Sequence, residues 1–215
     1  MGPLPPIVRA LLWSNGLLFL AQSALLEAFL PFMLWPLGEH FLGFQDGEAV
    51  TIGFLPWQVL TYGFLHGGLA HLFFNMLALL MFGGPLEATW GSRRFAIYYF
   101  SCVIGAGLVQ LVVASWSVRN GAPPYPTIGA SGGVFGLLLA YGMQFPHQRL
   151  MLLFPPIPMK AWVFVLGYGV LELVLGVTGT QAGVAHFAHL GGMAFGFLLI
   201  QYWRGRWPFR PKRRW

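Results

Sequence analysis

The sequence predicts an all-α integral membrane protein of six transmembrane helices, with one long external segment between the first and second. Three observations carry that reading. The first is composition: the 215 residues are 57% hydrophobic, 17% aromatic and only 8% charged, where a soluble globular chain carries about 25% charged residues. Twelve basic and six acidic side chains cannot cover the water-facing surface of a chain this size, so lipid must be its solvent. The second is a set of six apolar runs, each near the ~17–25 residues that a membrane helix needs. The third is the segregation of basic residues to one side of those runs. Disorder, a coiled coil and a nucleic-acid-binding domain are excluded by the same composition, the net charge of +6 notwithstanding. The single cysteine, Cys102, lies in an apolar run and excludes an intramolecular disulfide.

Taken in order, the runs cover about 9–34, 69–90, 95–116, 127–145, 159–177 and 184–203. The first has some features of a cleaved leader in Arg9 and the small residues around Ala21 to Ala24. Its apolar stretch continues to Leu34, too long for a signal core, so it is read as a retained span. The segment from Trp35 to Gly68 is rich in Trp, Phe and Leu and has Glu39, Asp46 and Glu48 but no lysine or arginine. Its rings suit the headgroup layer.

Six spans put the N-terminus, the 2–3 and 4–5 loops and the C-terminus on one side. That side holds Arg9, Arg93, Arg94, Arg149, Lys160 and the six basic residues of the tail from Arg204 to Trp215, eleven of the twelve. Only Arg119 falls opposite. The positive-inside rule then places both termini in the cytoplasm. The basic tail is expected to rest on anionic lipid. The whole of 1–215 reads as one membrane domain, without repeats or low-complexity tracts.

Polar side chains at membrane depth are functional candidates by default. The second span opens with His71 and Asn75, four residues apart and so on one helical face. The fourth opens with Gly129-Ala130-Ser131-Gly132-Gly133, and the sixth with His186-Phe187-Ala188-His189-Leu190-Gly191-Gly192. Spans two, four and six run from outside to inside, so their N-terminal thirds share a depth, each polar group within roughly 10 Å of its helix start. Gly132 with Gly136, and Gly192 with Gly196, form small-xxx-small faces that let membrane helices approach closely. A close contact between spans four and six would set Ser131 against His189, the minimum for nucleophilic catalysis. Ser131 starts its helix, where free N–H groups and the positive dipole end favour an oxyanion; Asn75 and His71 supply further donors. Taken singly, each element also reads as packing or as a satisfied polar tip; the conjunction is improbable by chance, and the residues alone leave a serine-hydrolase site and the packing reading in balance.

These residues resemble the motifs of rhomboid intramembrane proteases. Gly129-Ala130-Ser131-Gly132 resembles the family's active-serine motif, and His71-Leu72-Phe73-Phe74-Asn75 its HxxxN. His189-Leu190-Gly191-Gly192 with Gly196 is similar to its histidine and glycine pattern, and Gly83 to Glu87 with Gly91 to Phe95 to the stretch ending its second helix. The resemblance covers about 57–196 and implies a rhomboid-like bundle whose external segment is a membrane-embedded loop. It implies Ser131 as nucleophile, His189 as general base, and the Ser131 N–H, Asn75 and His71 as the oxyanion hole. It implies a dyad, in agreement with an only aspartate, Asp46, in the external segment; His189 would then be held by packing. Phe135 stands where well-known bacterial members carry a tyrosine that stacks on the histidine, so the ring face is kept and the hydroxyl lost. Trp57-Gln58 occupies the place of the family's Trp-Arg pair, which puts the loop's stabilising contacts in question. Gly132 and Phe135 would support the site, and His66 would brace its oxyanion side. His186 is expected to be wet or structural, Glu87 to be a structural tie, and Glu172 to reach water at the outer end of the fifth span.

The resemblance further implies hydrolysis of transmembrane-helix substrates near the extracytoplasmic face, through an acyl-enzyme, with no metal or other cofactor. The substrate helix would enter sideways near spans two and five. The partners implied are membrane proteins and the bilayer, with no nucleic acid. The alternative is a catalytically inactive relative that binds membrane clients, although such relatives typically lack the serine or the histidine. A metal or haem carrier would use His66, His71, His186 and His189 together. An aspartyl protease lacks its two membrane aspartates, and a common zinc protease its H-E-x-x-H. A compact chain without transit peptide or extra domains is expected in a prokaryotic plasma membrane.

Overall fold

The computed structural model describes residues 3–45, 47–151, 156–179 and 184–206. Asp46 and residues 207–215, most of the basic tail, lie outside the described residues. The chain is mostly helical, with six principal helices among the described residues: α1 (Pro6–Ala24), α2 (Leu69–Trp90), α3 (Ser92–Arg119), α4 (Ser131–Gln144), α5 (Ala161–Thr178) and α6 (His186–Trp203).

Pro6 occupies the first helical position of α1, where its missing N–H costs nothing. The next two N–H groups, of Ile7 and Val8, have no partner inside the helix. Both donate to the carboxylate of Glu87, at 2.9 and 2.8 Å, and the Ser92 hydroxyl donates to the same group at 2.6 Å. Glu87 is buried at the positive end of α1 and ties it to the start of α3. The helix ends at Ala24 and not near Leu34. Leu25 leaves helical geometry, and short turns follow over Leu26–Phe29 and Leu30–Phe32. A helix running on to Leu34 would hold Pro31 in its interior, where the ring meets the carbonyl four residues back.

The all-α expectation needs a correction. The segment before α2 contains an antiparallel hairpin, β1 (Glu39–Gln45) with β2 (Glu48–Gly53), and the link between α4 and α5 contains a smaller one, β3 (Arg149–Met151) with β4 (Pro158–Lys160). Gly47 turns the first hairpin at φ 86°, a left-handed position that hairpin loops favour. Behind it Gln58 is fully buried. Its amide nitrogen donates to the carbonyls of Pro31 (3.1 Å) and Gly53 (3.2 Å), and its amide oxygen accepts the Trp35 N–H at 3.1 Å. The Trp57 indole N–H adds a bond to Pro31 at 3.0 Å. Neutral hydrogen bonds from Trp57 and Gln58 therefore brace this loop.

Helix α3 lies between α2, α4 and α6, its face carrying Tyr98, Tyr99, Cys102, Val103 and Ala106 into the core. The predicted approach of α4 to α6 is present at Gly132 and Gly192. A Cβ on Gly192 would strike the Gly132 backbone, and one on Gly136 would strike Cys102. Gly196 turns elsewhere, toward the Tyr98 hydroxyl of α3. Helices α2, α3 and α5 are long and apolar enough to cross a membrane. Helix α4 has 14 residues, about 21 Å against a ~30 Å hydrocarbon layer, and it begins at Ser131 where the sequence predicted a start near 127.

Candidate active site

The start of α4 is set by a turn at Gly129, whose φ of 133° disfavours any side chain. The Gly129 N–H donates to the Tyr62 carbonyl at 2.9 Å. A Cβ there would also sit 2.8–2.9 Å from the His71 imidazole. Only glycine satisfies both the turn and the ring. Ala130 has no capping side chain, so the first N–H groups of α4 remain without helical partners and give an anion-favouring end beside Ser131.

Ser131 Oγ lies 2.8 Å from His189 Nε2. His189 belongs to the first turn of α6 and is buried. Phe135, one turn after Ser131, lies flat on its ring, centroids 4.1 Å apart and planes 7° from parallel. Tyr168 of α5 backs Phe135 at 5.8 Å. The gap between α4 and α6 is closed to within hydrogen-bond distance at Ser131 because Gly132 and Gly192 bring the two backbones together one residue deeper.

Glu172 of α5 overturns one expectation and adds to two others. It is buried, 5% exposed, and does not reach water. Its Oε2 lies 2.8 Å from His189 Nδ1 and 2.7 Å from His186 Nδ1. His186 therefore takes the structural one of the two roles expected of it, and His189 is held by a carboxylate as well as by packing. The reason is geometric: α5 and α6 are antiparallel neighbours, and Glu172, near the C-terminal end of α5, faces the first turn of α6. One signal was available, since Glu172 is the only acid in an otherwise apolar 18-residue helix, and an acid at membrane depth needs a partner.

On the other flank, His71 Nδ1 accepts the Gly67 N–H at 3.3 Å. The place a Gly129 Cβ would occupy is 2.9 Å from His71 Nε2 and 3.5 Å from Ser131 Oγ, so the imidazole borders the space in front of the hydroxyl. Asn75 donates one amide hydrogen to the His71 carbonyl at 2.9 Å and keeps a second. His66 packs edge-on to His71, centroids 5.1 Å apart. It is held through its backbone, which exchanges two 3.1 Å hydrogen bonds with the Gln22 amide of α1. Neither ring nitrogen of His66 has a partner among the described residues. Burial, with the neighbouring His71 adding to it, pushes its pKa down to about 4. The four histidines do not form one ligand set. Among the described residues, the group that could hold a metal ion is Glu172, His186 and His189, whose ligand atoms lie within 4.8 Å of one another, a spacing that two N–H donors sharing one carboxylate oxygen also give.

Residues 54–206 match the Rhomboid domain family. The chain belongs to the rhomboid family. RHOMBOID-like protein 4 of Arabidopsis thaliana is 32% identical over 158 residues, 74% of this chain and 36% of that protein. Rhomboid protein 1, mitochondrial, of Saccharomyces cerevisiae is 33% identical over 175 residues, 80% of this chain and 49% of its own length. Rhomboid protease GluP of Bacillus subtilis is 31% identical over 144 residues, 66% of this chain and 25% of its own. This rhomboid chain thus spans a quarter to about half the length of these relatives. As a rhomboid it is an integral membrane protein, and α2, α3 and α5 have the length and apolarity of its spans.

Proposed function

We propose that this rhomboid is an intramembrane serine endopeptidase acting on transmembrane-helix substrates near the extracytoplasmic face. One observation carries the reading: Ser131 Oγ stands 2.8 Å from His189 Nε2 where α4 and α6 both begin. His189 Nε2 takes the hydroxyl proton as Oγ attacks the scissile carbonyl. The oxyanion is received by the free N–H at the start of α4, with the second Asn75 amide hydrogen and His71 beside it. His189 returns the proton to the leaving amine, and water then hydrolyses the acyl-enzyme on Ser131. The steps need no metal or organic cofactor.

The six-span arrangement, with α1, α4 and α6 as the remaining spans, belongs to the same proposal. It is supported by the basic residues at the α2–α3 and α4–α5 turns, and in a prokaryotic plasma membrane it puts both termini in the cytoplasm. The reading is tested by a fluorophosphonate probe on detergent-purified protein, alongside Ser131→Ala and His189→Ala. An adduct on the Ser131 peptide, lost in both variants, is expected. A folded protein that takes no label at Ser131 overturns the protease reading and favours a client-binding rhomboid.

A further inference from the structure

We propose that Glu172 is a positioning residue for the base, so that the site works as a Ser131–His189–Glu172 relay and not as a bare dyad. This rests on the protease reading above. One oxygen of Glu172 meets the Nδ1 atoms of both His189 and His186, at 2.8 and 2.7 Å. An ionised carboxylate only accepts, so both imidazoles must carry their proton on Nδ1. For a neutral His189 that leaves Nε2 with a lone pair, and Nε2 is the atom 2.8 Å from Ser131 Oγ. The carboxylate thereby selects the tautomer that can accept a proton from serine.

Charge points the same way. With each ring carrying only its Nδ1 proton, the Glu172–His186–His189 cluster holds one buried negative charge, that of Glu172. A buried, uncompensated carboxylate is costly at membrane depth. When the Ser131 proton moves to His189 Nε2, the imidazolium and the carboxylate become an ion pair and the cluster turns neutral. The proton goes on to the leaving amine, and Glu172 remains a carboxylate throughout. Among the described residues, the titratable groups facing His189 are Glu172 of α5, His186 of its own helix and, across the site, His71 of α2; of these only Glu172 is an acid.

Geometry completes the case. Tyr168 and Glu172 are four residues apart on α5 and so share a face. The first backs the Phe135 ring that lies on His189, and the second holds the edge of the same imidazole. Helix α5 buries little else: Ala161 and Val165 are its other buried residues. Its inward face is spent on fixing one ring in position and in tautomer.

The test reads fluorophosphonate labelling of Ser131 as a function of pH in the detergent-purified 215-residue chain. Wild type is expected to rise with pH to a plateau. Glu172→Gln removes the charge and can offer an N–H to Nδ1, which favours the wrong tautomer; its rate at pH 7 is expected to fall by about a hundredfold or more. It should also lose the plateau and climb with hydroxide. Glu172→Asp, which keeps the carboxylate on a shorter stem, should recover part of the rate and the plateau, a rescue that a purely structural role would not give. A second measurement needs no variant: nitrogen-15 histidine spectra of wild type should show His189 protonated on Nδ1 and bare on Nε2. A folded Glu172→Gln that keeps the wild-type rate and plateau overturns the proposal, as does an Nε2-protonated His189. In both of those cases labelling of wild type leaves the protease reading standing; an unlabelled wild type removes that reading instead.

Discussion

Phe135 lies flat against His189, with centroids 4.1 Å apart and planes within 7° of parallel. The contact is a ring-on-ring clamp with no polar component from α4, so the expected consequence of altering it is loss of alignment alone. Phe135→Leu should slow labelling of Ser131 by about tenfold, the scale of one aromatic pair. Phe135→Tyr should stay near wild type. Labelling time courses at fixed pH check both.

The close approach of Gly132 and Gly192 predicts a sharp contrast between two glycines. Gly192→Ala forces the α4 and α6 backbones apart and should cost about 1–3 kcal/mol of stability. It should also abolish labelling, because the Ser131–His189 separation widens with the helices. Gly167→Ala, on α5, has open space where its Cβ would go and should change neither quantity. Thermal unfolding followed by tryptophan fluorescence, with labelling at low temperature, separates the two effects.

Glu87 should behave as a stability residue without influence on chemistry. Glu87→Gln removes the charge that meets the Ile7 and Val8 N–H groups at the start of α1. The expected loss is about 1–2 kcal/mol, read as a lower unfolding midpoint. Labelling per folded molecule should match wild type.

Acid should destabilise the fold through His66. Its pKa is lowered from 6.5 to about 4, so the unfolded chain binds a proton that the folded chain refuses between those values. The contribution is complete above pH 6.5 and is lost as the pH falls toward 4. Midpoints should decline across that window, and the decline should be shallower in His66→Gln. An equally steep decline in the variant would assign the acid sensitivity to another group.

Much of this architecture could be read from the sequence because it depends on local pattern. Apolar runs locate all six principal helices, and the glycine spacing in α4 and α6 anticipates their contact at Gly132 and Gly192. What pattern does not carry is where a helix stops. The end of α1 at Ala24 depends on Leu25 and Pro31, and the start of α4 depends on the left-handed turn at Gly129. The β1–β2 hairpin did leave a trace, the Asp46-Gly47 pair being a hairpin signal, but the aromatic content of the surrounding segment suggested a headgroup loop first. The residues named from sequence around Ser131 do come together. Glu172 was passed over because its partners, 14 and 17 residues away, are set by how α5 folds back on α6, a relation that no helical spacing reveals.

The turn of π geometry over Leu79–Gly83 in α2 has a consequence for the two ends of that helix. The stretch before it presents His71 and Asn75 to the site, and the stretch after it presents Glu87 to the start of α1. Each residue of a regular α-helix advances the phase by about 100°, so an unbroken α-helix over the same chain would swing Glu87 by roughly that angle away from Ile7 and Val8. The wider turn absorbs one residue of length. It works as a phase coupling: the two ends hold unrelated partners in step, and a residue is best lost or gained within those five positions.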